Sequence, residues 1–183
     1  MSQSKEPKLL ELFFNEPTKQ WRFTELKKRC RMADNKLTQW LKKFQTTKLI
    51  KRVKPHYRMP YYVSDYESAN YQNKKKLFAL ESLYNVGLLN HLTALDQVKT
   101  AIIFGSFSRW DWHSQSDVDI FIYGSDALFE KGKYELALHR EIQLFTSEHQ
   151  EDLQKISNKL LKNIIQGTII KGSIDFVKVS AHA

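Results

Sequence analysis

The chain has 183 residues, of which 42% are hydrophobic and 27% are charged, so its composition excludes a disordered or fibrous protein and predicts one or two compact domains. Its 29 lysines and arginines outnumber its 20 acidic residues, which gives a formal net charge of +9. The excess lies at one end, because residues 1–65 contain 16 basic and 6 acidic side chains whereas residues 66–183 contain 13 and 14. A locally basic segment of this kind is typical of a surface that binds a polyanion.

The sequence shows no signal for a membrane protein or an exported one. No apolar run approaches the roughly 20 residues that a membrane span requires, and the first residues, MSQSKEPK, lack the apolar core of a signal peptide. Cys30 is the only cysteine, which excludes an internal disulfide and a cysteine metal cluster. We therefore expect a cytoplasmic protein with no membrane partner.

The first 46 residues predict three short helices. Pro7 suits a first helical turn, and an apolar face follows it as far as Asn15. Thr24 is expected to be the N-cap of a second helix over residues 25–31, and Asp34 the N-cap of a third that runs to about residue 45.

The third predicted helix has two distinct faces. Its apolar positions, which recur at helical spacing and are expected to face the core, are Leu37, Trp40, Leu41 and Phe44. The opposite face carries polar and basic residues, namely Asn35, Lys36, Gln39, Lys42 and Lys43. This second face is therefore expected to be presented outward.

A basic hairpin follows, with strands predicted at residues 49–54 and 61–63 and a turn that contains Pro55 and Pro60. Three short helices and a hairpin in residues 1–65 resemble a winged helix-turn-helix domain. The resemblance implies that duplex DNA is bound by the outward face of the third helix and by Lys51, Arg52, Lys54 and Arg58 of the hairpin. The alternatives are a face that is only solvated, or one that meets an acidic protein or RNA.

Residues 66–97 have mainly helical spacing and are interpreted as a connector between two domains. Gly87 marks a break or a close contact within this stretch. Lys74, Lys75 and Lys76 are interpreted as a solvated face. An alternative function for the whole chain is an interaction protein that holds a partner through residues 66–97.

From residue 98 onward, predicted strands alternate with predicted helices, a pattern that favours a layered α/β domain over residues 98–183. The predicted strands are 100–104, 118–123, 141–145, 168–171 and 174–177. The predicted helices are 127–138 and 149–165.

The most informative motif joins two of these strands. Gly105 and Ser106 leave the first strand, and ten residues later Asp117 and Asp119 open the next. Strand side chains alternate, so the two carboxylates share a face, where they repel each other unless a cation lies between them. Glycine allows a phosphate to approach the backbone, and serine can donate to it. Together these features predict a site for a nucleoside triphosphate and Mg²⁺.

This motif resembles that of the nucleotidyltransferase superfamily related to DNA polymerase beta, and its minimal members in particular. The resemblance covers about residues 98–178 and implies an α+β or α/β fold in which a small mixed sheet is packed with helices. It implies that Gly105, Ser106 and Arg109 bind the nucleotide, and that Asp117 and Asp119 are catalytic and hold two metal ions, Mg²⁺ or Mn²⁺. Trp110 departs from the family, in which this position is often glycine.

The family usually has a third carboxylate on a neighbouring strand. In the register we favour, Gln143 takes that position and is neutral; Glu141 takes it if the strand slips by two residues. Asp175 is a remote candidate on the last strand. The metal pair is then present while the general base is in doubt.

Structural interpretations compete at several of these positions. An isolated Asp-x-Asp at a strand edge is commonly a solvated or capping pair. Trp110 and Trp112 are expected to pack over the loop rather than to stack on a base, and His113 is expected to be exposed rather than in contact with a phosphate.

The function predicted from the sequence is Mg²⁺-dependent transfer of a nucleotide from a triphosphate to a hydroxyl of a protein, a nucleic acid or a small molecule. The first alternative is a DNA-binding regulator whose degenerate nucleotidyltransferase domain senses nucleotide. Some minimal superfamily members are antitoxins that modify a partner toxin, so the resemblance also implies a protein partner of that kind. Winged-helix regulators are often dimers, so a homodimer is a further expectation.

Overall fold

The computed structural model describes residues 6–175 and divides into two compact units, Met1–Lys75 with Trp112–Ser114, and Lys76–Asp111 with Gln115–Ala183. The elements of the first unit are α1 (Glu6–Asn15), α2 (Phe23–Cys30), α3 (Asp34–Thr46), β1 (Ile50–Val53), β2 (Tyr61–Ser64) and the first half of α4 (Ala69–Asn85). The elements of the second unit, after the rest of α4, are α5 (Leu88–Ala94), β3 (Val98–Phe104), α6 (Gly105–Arg109), β4 (Val118–Gly124), α7 (Lys131–Leu138), β5 (Ile142–Ser147), α8 (Gln150–Leu153), α9 (Asn158–Ile165) and β6 (Thr168–Lys171).

The core of the first unit is built around α1. This helix buries four apolar side chains, Leu9, Leu10, Phe13 and Phe14. Phe13 meets the fully buried Trp21 edge to face, with ring centroids 6.3 Å apart. Trp21 also pairs with Tyr62 of β2 through two backbone hydrogen bonds of 2.8 Å. The hairpin is thereby attached to the helical core.

The starts of α2 and α3 differ from the sequence prediction. Thr24 lies inside α2, whose N-cap is Arg22, and Asp34 is the first residue of α3, whose N-cap is Ala33. Neither N-cap side chain accepts a hydrogen bond from the helix. Asp34 instead forms an ion pair of 2.7 Å with Lys27 of α2, so its carboxylate links the two helices.

One predicted core residue of α3 is only partly buried. Leu37, Leu41 and Phe44 are buried as expected. The Trp40 ring, by contrast, lies beneath two ammonium groups, with Lys36 Nζ 5.1 Å and Lys43 Nζ 4.6 Å from its centroid. The ring also lies 6.0 Å from that of Phe44, so Trp40 has an apolar neighbour as well as two cations over its face.

The first half of α4 belongs to the first unit, not to a separate connector. Tyr71 is fully buried and its hydroxyl donates to the Phe13 carbonyl over 3.1 Å. Lys75 is also buried, although the lysine run was interpreted as a solvated face. A fragment of residues 1–65 would therefore lack part of this core. Gly87, with φ at +81°, begins α5, which confirms the predicted break.

The second unit is a four-stranded sheet in the order β5-β4-β3-β6. β3 is antiparallel to both β4 and β6, whereas β4 and β5 are parallel. The mixed sheet agrees with the predicted fold class. In the β3–β4 ladder Phe104 is paired with Asp119, and in the β4–β5 ladder Asp119 is paired with Gln143.

One apolar cluster covers a face of this sheet. Ile102 and Phe104 of β3, Phe121 of β4 and Ile164 of α9 are buried together. On the same strands Ala101, Ile103, Ile120 and Ile122 are fully buried as well. The strands are thus apolar on both faces, which is why β3 has the continuous apolar run that predicted a buried strand.

Several predicted boundaries in this unit are corrected. The helix expected over residues 127–138 begins only at Lys131. The helix expected over residues 149–165 is broken into α8 and α9, and the Ser157 hydroxyl accepts from the Leu160 amide to begin α9. Ile174 is not in a strand, and residues 176–177 lie outside the described residues. Within residues 6–175, no helix combines the length and the apolar character needed to cross a bilayer.

The buried Tyr71 predicts a pH-dependent effect on stability. Burial raises the pKa of Tyr71 to about 12, whereas a tyrosine in the unfolded chain ionises near pH 10, as an approximate reference value. Tyr71→Phe should lower the free energy of unfolding by about 1 kcal/mol at pH 7, since a hydrogen bond is lost. Above pH 10 the unfolded wild type loses a proton that the folded state retains, so the wild type should lose about 1.4 kcal/mol relative to the variant by pH 11. The deficit of the variant should therefore disappear or slightly reverse at that pH.

Denaturant unfolding of both proteins across this pH range tests the effect, with Tyr66→Phe as the control because Tyr66 is half exposed. A deficit of Tyr71→Phe that stays constant from pH 7 to pH 11 would contradict the assignment.

Candidate nucleotide and metal site

The site begins where β3 ends. Phe104 is the last residue of β3 and α6 starts at Gly105, with no intervening loop. Gly105 has φ at +68°, and a Cβ added to it would overlap the Asp119 carboxylate. Only glycine allows both this backbone conformation and this close approach. The pairing of Phe104 with Asp119 thus places the start of α6 directly against a carboxylate.

Buried neighbours hold Ser106 in the first turn of α6. Phe107 and Ser108 are buried, while Ser106 itself is partly exposed. The sequence predicted that Ser106 donates to a phosphate more readily if a helix begins there, and α6 does begin at Gly105.

Asp117 and Asp119 form an acidic pair at the start of β4. Asp119 is half-buried, and this burial raises its pKa above the ordinary value. Repulsion from the Asp117 carboxylate raises the pKa further, and the Arg109 guanidinium opposes the rise. Two carboxylates held this close favour a cation between them.

The donors fit a hard divalent cation. Carboxylate oxygens are the ligands that Mg²⁺ and Mn²⁺ take, together with waters and substrate phosphates. Within residues 6–175, no group of three or more histidine, cysteine or acidic side chains is placed to hold a metal ion by itself. Asp117 and Asp119 would therefore hold the metal ion jointly with a phosphate of the substrate.

Gln143 lies beside this acidic pair. Its Nε2 donates a 2.7 Å hydrogen bond to Asp117 Oδ2, and its backbone is paired with Asp119. This is the register that the sequence analysis favoured. Glu141 precedes β5 and is exposed, with its carbonyl accepting from the Val118 amide over 2.9 Å. Asp175 lies beyond β6, where it accepts a hydrogen bond from the Ser173 hydroxyl.

Arg109 is engaged with a neighbouring carboxylate. Its Nε and Nη2 atoms lie 3.2–3.4 Å from the oxygens of Asp111. About half of each side chain is exposed. A nucleotide phosphate would have to compete with Asp111 for this guanidinium.

The sequence analysis missed the residues that support the loop before Asp117. Arg140 Nη1 donates a 2.8 Å hydrogen bond to the Ser116 carbonyl, and its guanidinium lies 5.1 Å from the Phe107 ring. Glu135 accepts from the Ile142 amide over 3.0 Å at the start of β5. No local motif marks Arg140, because it acts on a loop 24 residues away in sequence. Glu135 caps a strand that starts seven residues later, and no motif marks it either.

The tryptophans of the motif have different surroundings. Trp112, only 2% exposed, belongs to the first unit, where its ring lies 6.1 Å from that of Phe14 and 4.7 Å from Lys75 Nζ. It packs rather than stacks on a base, as the sequence analysis expected. Trp110 is partly buried and His113 is exposed.

The residues predicted to contact DNA fall into two groups in the structure. Some are already engaged: Lys43 pairs with Glu6 at 3.0 Å, Lys51 pairs with Asp65 at 2.8 Å, and Lys36 donates to Gln39 at 3.3 Å. The second group is exposed and has no salt bridge to another described residue; it consists of Lys42, Arg52, Lys54 and Arg58. Asn35 is also exposed.

A comparison with protein families finds a match in the second part of the chain. Residues 88–175 match the model of the polymerase beta nucleotidyltransferase family. The matched segment includes Gly105, Ser106 and the aspartate pair. It begins at Leu88, so α5, which the sequence analysis placed in the connector, lies within it.

One solved structure that resembles the chain is that of a mutant form of the toxin-antitoxin MntA-HpeT. The similarity covers 54% of this chain and 73% of that chain, with 19% sequence identity and a TM-score of 0.34. A comparison with curated protein sequences gives no match.

The contact between Gly105 and Asp119 predicts the effect of one added methyl group. Gly105→Ala should displace the Asp119 carboxylate and strain the backbone, at a cost of about 1–3 kcal/mol in stability. The variant should also lose the thermal stabilisation given by MgATP. Gly132→Ala is the matched control, because its added Cβ meets no atom within 4 Å. Thermal unfolding with and without MgATP measures both effects, and an unchanged MgATP shift in Gly105→Ala would contradict this geometry.

Proposed function

We propose that the chain is a Mg²⁺- or Mn²⁺-dependent nucleotidyltransferase that moves a nucleotide from a nucleoside triphosphate to an acceptor hydroxyl. The observation that carries the proposal is the approach of Gly105 to the Asp119 carboxylate across the β3–β4 pair. This contact brings a phosphate-binding turn and an acidic pair to the same end of the sheet. The family match over residues 88–175 supports it.

The reaction assigns a role to each part of the site. The acceptor oxygen attacks the α-phosphorus, the bond to the β-phosphate oxygen breaks, and pyrophosphate leaves. Gly105 and Ser106 bind the triphosphate through the start of α6. Asp117 and Asp119 hold the metal ion, which when bound neutralises charge on the phosphate oxygens. The acceptor proton needs a base, and this is the role that the site fills least well.

Gln143 supports a second candidate function, a regulator that binds nucleotide without rapid turnover. Its amide donates to Asp117 where the family usually has a third carboxylate. An amide has no proton affinity near neutral pH, so it cannot accept the acceptor proton. Nucleotide would then bind and be released unchanged, and the bound state would be the signal.

A substitution at position 143 separates the enzyme from the sensor. Gln143→Asp supplies a carboxylate beside Asp117 and should raise the rate of nucleotide transfer by about 100-fold or more, the usual contribution of a general base. Glu141→Ala should leave the rate unchanged. The assay incubates the protein with labelled triphosphate and Mg²⁺ or Mn²⁺ and measures the label transferred to an acceptor. The acceptors tested are the protein itself, nucleic acid, small-molecule hydroxyls and the proteins encoded beside it, a partner toxin among them.

Nucleotide affinity is measured in parallel. A large loss of rate in Glu141→Ala at unchanged nucleotide affinity would show that Glu141 is the base. A rate in Gln143→Asp no higher than that of the wild type would contradict the role given to this position.

The proposal assigns duplex DNA to the first unit. Lys42 lies on α3, and Arg52, Lys54 and Arg58 lie on the β1–β2 hairpin or its tip, all exposed and none paired with a described carboxylate. Lysine and arginine side chains of this kind contact phosphates, whereas Asn35 and Gln39 can contact base edges. Lys43 and Lys51 contribute less, since each already has an acidic partner.

Salt dependence tests this assignment with the full chain. Four phosphate contacts imply that log affinity falls with log salt at a slope of roughly −3 to −4. Arg52→Ala with Lys54→Ala should flatten the slope by about 2 and weaken all DNA sequences alike. The charge-matched control is Lys131→Ala with Lys133→Ala on α7. An equal loss of DNA affinity in both double variants would show that binding depends on net charge alone.

A further inference from the structure

The tip of the β1–β2 hairpin carries the most exposed aromatic residue that the structure describes. Tyr57 is 100% exposed and Met59 is 71% exposed. The His56 ring lies 6.2 Å from the Tyr57 ring, at an interplanar angle of 43°. Pro55 and Pro60 bracket the tip and restrict its backbone. An apolar projection is therefore held out into solvent on a short, restricted loop.

Cations surround this projection. Arg52, Lys54 and Arg58 are exposed on the same hairpin, and residues 49–64 contain no aspartate or glutamate. Arginine, tyrosine and methionine are common at protein interfaces as well, but a hairpin with several cations and no acidic side chain favours a polyanion. A basic surface that carries aromatic side chains is the usual arrangement for binding nucleic-acid bases. The positive charge near Tyr57 thus favours a polyanion whose bases are exposed, or can be exposed, for stacking.

We propose that Tyr57 and Met59 form a wedge that inserts at a weakened base step of duplex DNA. The Tyr57 ring stacks on the unstacked base. The flanking phosphates are contacted by Arg52, Lys54 and Arg58. The inference rests on the proposed DNA binding and adds a mode of recognition to it. Apolar side chains inserted in this way unstack the step and kink the duplex. Because a mismatched base is the least costly to unstack, the wedge selects duplexes that contain one.

The test compares two short duplexes of the same sequence, one fully paired and one with a single central mismatch beside a 2-aminopurine. The wild-type full chain should bind the mismatched duplex about tenfold more tightly, as expected for one stacked base. Stacking changes the fluorescence of 2-aminopurine, which therefore reports the insertion. Tyr57→Ala should remove both the preference and the fluorescence change, and Tyr57→Phe should retain both because stacking needs only the ring.

Tyr84→Ala is the matched control, since Tyr84 is another exposed aromatic residue, on α4 and outside the hairpin. Equal binding of the two duplexes by a wild type that shows the predicted salt slope would overturn the wedge and leave the DNA-binding assignment intact. A Tyr57→Phe variant that behaves like Tyr57→Ala would also overturn stacking. Absence of DNA binding by the wild type would remove the DNA-binding assignment and the wedge together.

Discussion

The close approach of Gly105 to the Asp119 carboxylate is the contact on which the site depends. The antiparallel pairing of Phe104 with Asp119 sets it, and the left-handed φ of Gly105 turns the chain from β3 into α6 at that point. Any side chain at position 105 would push the carboxylate away. The start of α6 and the acidic pair are therefore held together at one end of the two central strands. The match to a nucleotidyltransferase family covers the segment that contains them.

Around this contact the negative charge of Asp117 and Asp119 is only partly neutralised. Asp119 is half-buried beside Asp117, and both effects oppose its ionisation. Arg109 attracts Asp119 but is itself bonded to Asp111. Gln143 donates a hydrogen bond to Asp117 without adding or removing charge. The negative charge that remains is a reason to expect a divalent cation. Because Gln143 is neutral, the same site is compatible with two proposals, an enzyme and a nucleotide sensor.

Apolar periodicity predicted the elements well, because β3, β4, α1 and α3 all bury the apolar side chains that form the pattern. The spacing of Gly105, Ser106, Asp117 and Asp119 also indicated the site before its geometry was known. Helix ends were predicted less well. Thr24 and Asp34 have the chemistry of N-caps, but the local backbone begins each helix one or two residues earlier. The break between α8 and α9 likewise leaves the apolar pattern unchanged.

Contacts between distant segments could not be predicted from spacing. The pairing of Lys43 with Glu6 joins residues 37 positions apart, and it engages one of the side chains expected to contact DNA. Arg140 holds the loop before Asp117 through the Ser116 carbonyl, 24 positions away. Trp40 has core spacing, yet two lysines cover it. In each case the contact depends on the fold, so the sequence shows which side chain is present but not which residue it contacts.

We propose that Asp117 and Asp119 hold a divalent cation together with a nucleoside triphosphate. The most direct measurement is the thermal unfolding of the wild type and of Asp117→Asn with Asp119→Asn, each with and without MgATP. A ligand present at 100 times its dissociation constant adds about 2.7 kcal/mol to the free energy of unfolding. We expect this gain in the wild type and no gain in the double variant. An equal gain in the two proteins would show that the ligand is bound elsewhere.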